Sequence, residues 1–165
     1  MTGRLLNLLF AIAGAVLLSQ LPAFSDQYLQ RLGGRLDQAR FDVYRIAQAA
    51  EAENMSLTAY IHTFTASDQS PHRRQGRIMQ EQITQLARLE RAFGALRAAG
   101  DITRPIVFLR YAETEMVAST LSDFSPGLPL SAAGFGYAMI GALGGLAVRL
   151  GLGRVFSLIH RVAAT

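Results

Sequence analysis

Three histidines, His62, His72 and His160, are the side chains best suited to proton transfer or metal ligation, and the chain has no cysteine to join them. His62 and His72 stand ten residues apart. Neither takes part in a His-x-x-x-His or Glu-x-x-His spacing, which would set two ligands on one helix face. Solvated or capping roles account for both; an enzyme using His62 or His72 would need carboxylates brought to them from elsewhere in the chain. Glu113 and Glu115 flank a helix start, where carboxylates favour the helix dipole. Gly134-Phe135-Gly136 opens like a dinucleotide fingerprint, but it lies inside an apolar run with no strand before it. There is no phosphate loop, no Gly-x-Ser-x-Gly elbow and no pair of carboxylates in an apolar setting. The sequence therefore predicts no catalytic, cofactor-binding or metal-ligating set, and no cofactor.

The elements that carry these residues follow from where charge is absent. Half of the 165 residues are hydrophobic and 17% are charged, below the roughly 25% of ordinary soluble domains. All sixteen basic residues are arginine. Twelve of them balance the twelve carboxylates between Ser25 and Gly127, so the net charge of +4 resides in Arg4, Arg149, Arg154 and Arg161. The excess positive charge thus flanks apolar segments and does not form a nucleic-acid surface.

Leu5 to Leu21 carries no charge. Extended to Phe24 it makes about 30 Å of helix at ~1.5 Å per residue, enough to cross a bilayer core. The rival reading is a cleaved signal peptide, with Ala23-Phe24-Ser25 as the cleavage site, but the run exceeds the ~7–15 residues of a signal core. Beyond Pro22, the residues Leu29, Leu32, Leu36, Ala39, Val43, Ile46 and Ala50 alternate strictly at spacings of three and four. This is the seam of a coiled-coil-like stalk. The stalk helix should end near Asn54. Ser56 then caps a short helix with Leu57, Tyr60, Ile61 and Phe64, and Ser70-Pro71 opens a long helix through Met79, Ile83, Leu86, Leu89, Phe93 and Leu96 to Gly100.

The two long helices match in length at about 42–44 Å, which predicts an antiparallel hairpin. Glu51 and Glu53 at one end and Arg73, Arg74 and Arg77 at the other each oppose their own helix dipole. Pairing across the tip would offset both. An anion-binding tip is the functional alternative. Ile106, Leu109, Met116, Val117, Leu121 and Phe124 are expected to pack short membrane-proximal helices on the base of the stalk. From Leu128 to Val148 a second uncharged run is again long enough to span.

Within that second run Gly134, Ala138, Gly141 and Gly145 share one helix face, a stripe that lets helices approach closely in lipid. Its partner is either Ala11, Gly14 and Ala15 of the first span or a second copy of the protein. Arg149, Arg154 and Arg161, set among Val155, Phe156, Leu158, Ile159 and Val162, form a basic amphipathic tail suited to an anionic leaflet, or serve simply as a stop-transfer flank. The predicted organisation is a transmembrane helix over 1–24, a helical-hairpin domain over 25–127, a second transmembrane helix over 128–148 and the tail over 149–165. Positive charge at the second span places the termini in the cytoplasm and the hairpin in the periplasm; Arg31, Arg35 and Arg40 beside the first span point the other way. The long intervening segment weakens that second signal.

Gln20-Leu21-Pro22-Ala23-Phe24-Ser25-Asp26-Gln27-Tyr28-Leu29-Gln30-Arg31-Leu32-Gly33-Gly34-Arg35-Leu36-Asp37-Gln38-Ala39, with Asp123-Phe124-Ser125-Pro126-Gly127-Leu128-Pro129-Leu130, resembles an uncharacterised domain-of-unknown-function family of small proteobacterial inner-membrane proteins. The resemblance implies a bacterial inner membrane and a retained first span. It implies no activity and no catalytic residue.

The sequence thus predicts an all-α protein with two transmembrane helices flanking an antiparallel helical hairpin, acting as a non-enzymatic membrane interaction or assembly factor. A sensor ectodomain signalling through a partner has a similar layout. Its expected partners are the lipid bilayer and a protein partner or second copy, not nucleic acid. Two helices cannot fully cover each other's seams, and Phe41 and Tyr44 are the candidate partner surface left over.

Overall fold

The computed structural model describes residues 2–127 and 131–162, with side chains described over 3–127 and 131–153. Leu128, the expected start of the second span, lies outside the described residues, as do the side chains of Arg154, His160 and Arg161. The elements are α1 (Thr2–Ser19), α2 (Leu21–Ala52), α3 (Leu57–Thr65), α4 (Ser70–Ala98), α5 (Arg104–Tyr111), α6 (Thr114–Ser122) and α7 (Ala132–Val162), with no strand among the described residues. The fold is all-α, and two of its helices are long and apolar enough to cross a membrane. The chain divides into two compact units, residues 1–27 with 121–165, and residues 28–120.

In the first unit α1 packs along α7. A Cβ added to Gly141 would run into the carbonyl of Gly14, one on Gly14 into the carbonyl of Gly141, and one on Gly145 into the carbonyl of Phe10. Backbone therefore lies on backbone, an approach that only glycine permits. The large side chains point the other way: Leu5, Leu8, Val16 and Leu17 of α1 and Phe135, Met139, Ile140 and Leu143 of α7 are each more than half exposed. A pair that buries its smallest residues and displays its largest is inverted for water and suited to lipid. Pro22 cannot donate to the preceding turn, and the helix breaks for the single residue Gln20 before α2 resumes. Gln20 Oε1 accepts the Gly127 N–H at 3.1 Å, and Gln27 Nε2 donates to the Ser125 carbonyl at 3.3 Å. Between them the rings of Phe24 and Phe124 meet edge to face at 5.6 Å.

In the second unit α2 and α4 form the antiparallel hairpin. Leu32 and Leu36 of α2 share a core with Leu89, Ala92 and Leu96 of α4, and Ile46, nearer the tip, packs with Met79 and Ile61. The helix end near Asn54 is a Schellman motif: Met55 N–H donates to Ala50 O at 2.9 Å and Asn54 N–H to Glu51 O at 2.9 Å. Asn54 takes the left-handed conformation, φ 56°, which asparagine tolerates better than most residues. Ser56 caps α3 by accepting the Ala59 N–H at 3.2 Å. The α4 start differs by one residue from the Ser70-Pro71 expectation, because Gln69 is the extended N-cap and its own N–H donates to Ser67 Oγ. α3 lies so close to α4 that a Cβ on Gly76 would meet the Thr65 nitrogen at 2.7 Å.

Two packing expectations are corrected. The tip carboxylates Glu51 and Glu53 form no ion pair with Arg73, Arg74 or Arg77 among the described residues. The chain between the long helices supplies other partners, and Arg73 donates to the carbonyls of Ser67 and Asp68. At the opposite end of the hairpin, α5 turns Val107, Phe108 and Tyr111 to the core. Ile106 and Leu109, expected to pack inward, are 71% and 84% exposed, and Leu121 is 64% exposed. Phe108 stacks edge to face on Tyr28 at 4.8 Å, which fixes the rotation of α5 about its axis.

Candidate functional site

Among the described residues, those capable of chemistry do not converge. His62 is exposed on α3. His72 is exposed near the start of α4, with Nδ1 3.4 Å from Ser67 Oγ and its ring 6.1 Å from that of Phe64. The Ser67 contact is a local turn interaction five residues away, and among the described residues no carboxylate stands behind the ring to orient it as a base. Among the described residues no three His, Asp or Glu side chains come together to hold a metal ion. Glu113, flagged by its place at a helix start, spends its Oε2 on Arg35 at 3.2 Å, with both side chains nearly half exposed. Its backbone N–H donates to the hydroxyl of the buried Tyr28 at 3.0 Å. A groove of about 530 Å³ beside α4 is lined by Arg77, Glu81, Arg88 and Glu113 with Gln80, Thr84 and Gln85. Its charges alternate along one helix face, as they do on a solvated surface.

The candidate partner surface lies on the outer side of α2. Phe41 is 55% exposed and Tyr44 57%, while the neighbouring seam residues Leu36 and Ile46 are buried. The Tyr44 hydroxyl accepts from Gln48 Nε2 at 2.9 Å, one turn on. Beside Phe41, Arg40 reaches Glu90 of α4 at 3.4 Å and Asp37 at 3.5 Å. Exposed pairs of this kind contribute about 0–1 kcal/mol each, so they border the aromatic pair without holding the hairpin together. Sequence reasoning missed a second apolar surface, Ile102, Ile106 and Leu109, of which Ile102 is 91% exposed. Their spacing of four and three was a usable signal. It was masked because Val107, Phe108 and Tyr111 make a second apolar face that overlaps it, with Val107 four residues and Phe108 three residues before Tyr111.

The stripe residues sit on one face of α7, with Gly134 and Gly141 buried and Ala138 and Gly145 partly so. Gly141 and Gly145 of the stripe meet α1 of the same chain, at Gly14 and Phe10. Ser131 begins this helix by accepting the Gly134 N–H at 3.0 Å.

The sequence matches the family described as "Protein of unknown function (DUF2937)" over residues 3–161. The match covers both long apolar helices and everything between them, and the chain belongs to that family. The two stretches that carried the resemblance, Gln20 to Ala39 and Asp123 to Leu130, meet in part in the structure, through Gln20, Phe24 and Gln27 on one side and Phe124, Ser125 and Gly127 on the other. No curated protein matches the chain, and no solved structure does.

Proposed function

We propose that this member of the family is a two-pass protein of a bacterial inner membrane whose hairpin unit works as a non-enzymatic interaction or assembly factor. The observation that supports it is the pairing of exposed aromatics with unconverged polar groups. Phe41 and Tyr44 are each more than half exposed on α2, whereas among the described residues His62 and His72 have no carboxylate behind them. Exposed aromatic side chains are the usual anchors of protein interfaces.

Charge placed on this surface should be tolerated by the fold, since surface substitutions usually stay within about 0.5 kcal/mol. Phe41→Asp and Tyr44→Asp are therefore expected to abolish the cellular phenotype of the intact protein while leaving it in the membrane fraction. Alanine at His62 and His72 is expected to change nothing. If the histidine variants lose the phenotype and the aspartates keep it, the protein is an enzyme and this assignment is wrong.

The orientation we propose has both termini in the cytoplasm and the hairpin in the periplasm. It is supported by the arginines at the terminal ends of the spans, Arg4 before α1 is far advanced and Arg149, Arg154 and Arg161 late in α7. A reporter active only in the cytoplasm should work when fused after Thr165 and fail when inserted at Gln69. The opposite pattern would place the hairpin in the cytoplasm.

A further inference from the structure

The contacts between α1 and α7 set a register that extends to the ends of the helices. Gly14 lies against Gly141 and Phe10 against Gly145, four residues forward on one helix for four back on the other. Carried on, this antiparallel register brings Arg4 level with Gly151, within a turn of Arg149. The two arginines accordingly line one open cleft of about 480 Å³ with Gly3, Asn7 and Leu150.

Among the described residues of the first unit nothing neutralises them there. Its carboxylates are Asp26 and Asp123, both in the segments joined by the Gln20–Gly127 hydrogen bond at the other end of the pair. Neither Arg4 nor Arg149 has a hydrogen bond or ion pair among the described residues. Two guanidinium groups facing one cleft repel each other, and each carries five N–H donors in a planar fork that suits phosphate oxygens. The Asn7 amide adds two donors. The Arg149 guanidinium lies over Gly153, where a Cβ would stand 2.9 Å from Nη1, so the glycine leaves the arginine its room.

From this geometry we propose that the Arg4–Asn7–Arg149 cleft binds a phosphate group, and that its occupant is the phosphodiester of an anionic phospholipid. Leu150 lines the cleft; it and Leu5, Leu8 and Leu152, which stand within two residues of lining residues in sequence, are all more than half exposed and offer acyl chains an apolar path that a free phosphate would not use. Arginines that serve only to orient a span need to be near its end; they need not share a cleft with an amide. Basic clefts between membrane helices are known to take anionic headgroups. The inference rests on α1 and α7 crossing the membrane.

Carbonate extraction of native membranes tests that premise separately: release of the protein into the supernatant would overturn the spanning assignment itself. With the protein retained, native mass spectrometry of the full chain in detergent, with added dioleoyl phosphatidylglycerol or phosphatidylethanolamine, tests the cleft. The wild type is expected to retain phosphatidylglycerol in preference to phosphatidylethanolamine. Arg4→Gln combined with Arg149→Gln should reduce retention to the phosphatidylethanolamine level, while Arg73→Gln with Arg74→Gln should leave it unchanged. If the double variant fails to fold by circular dichroism, the single Arg4→Gln and Arg149→Gln variants carry the test, each expected to lower retention. Undiminished retention in folded variants overturns the site. Displacement of the lipid by an equal concentration of inorganic phosphate overturns the lipid as occupant and makes the cleft a site for a soluble anion.

Discussion

Gly141→Leu is expected to separate α1 from α7, with loss of protease resistance of the first unit and a lowered melting temperature in detergent. The new side chain would begin inside the space held by the Gly14 carbonyl and by Leu18 Cβ, which stands 2.9 Å from the Cβ position. A carbonyl belonging to a helix backbone cannot swing aside as a side-chain tip does, so one helix has to move as a body. Overpacking typically costs about 1–3 kcal/mol, and this site belongs at the upper end of that range. Gly145→Leu should behave alike through its clash with the Phe10 carbonyl. Gly144 supplies the control: it lies between the two, has the same helix propensity, and a Cβ there meets nothing within 4 Å. Gly144→Leu should leave the melting temperature unchanged or raise it slightly, since leucine is the better helix former. Equal losses at Gly144 and Gly141 would show that the effect comes from side-chain bulk on α7 and not from the backbone contact.

That contrast separates what spacing alone reveals from what it does not. The intervals that put Gly134, Ala138, Gly141 and Gly145 on one face are legible because helical period converts position into direction. The partner is not legible, since α1 and a second copy would both accept such a stripe. The choice depends on where the intervening chain returns α7, and that return is tied to contacts between residues far apart in the chain, Gln20 with Gly127 and Phe24 with Phe124, which periodicity does not reveal. The hairpin was readable for a similar reason: apolar residues at spacings of three and four on both α2 and α4, joined by a Schellman end and a capped short helix, leave few ways to bury both seams. Its tip was not, because whether Arg73 prefers Glu51 or the carbonyls of Ser67 and Asp68 is a matter of a few ångströms in a turn. On α5 two overlapping apolar faces compete, Ile106 with Leu109 and Val107 with Phe108 and Tyr111, and periodicity cannot rank them. A ring contact decides: Phe108 against Tyr28.

Tyr28 is also the residue whose removal should weaken the hairpin unit most. Its position beside Leu29 hides its role, since the seam drawn from apolar residues passes through the leucine. In the structure Tyr28 is 0% exposed and Leu29 only partly buried. The phenol belongs there because its oxygen has a partner: it accepts the Glu113 N–H at 3.0 Å, where the chain turns from α5 into α6. Tyr28→Ala removes the ring from the cluster of Leu32, Leu36, Leu89, Leu96 and Met116, a change of the kind that costs about 3–5 kcal/mol for a large aromatic residue. Tyr28→Phe keeps the packing but leaves the Glu113 N–H without its acceptor, for about 1–3 kcal/mol.

The same environment gives the unit an alkaline limit. Burial pushes the phenol above its ordinary range, the hydrogen bond from Glu113 lowers it, and the nearby Glu113 carboxylate and Arg35 guanidinium act in opposite directions; burial prevails. The folded protein therefore holds this proton more tightly than the unfolded chain, which releases it near pH ~10. Linkage then fixes the sign: the contribution is complete below about pH 10 and disappears as pH rises through the higher folded value. Melting curves of wild type and Tyr28→Phe, recorded in detergent with tyrosinate absorbance followed alongside, should be separated by a constant interval up to that pH and converge above it. If the interval stays constant to the alkaline end, the phenol is not ionising against its burial, and the hydrogen bond to Glu113 would have to account for the whole difference between the two proteins.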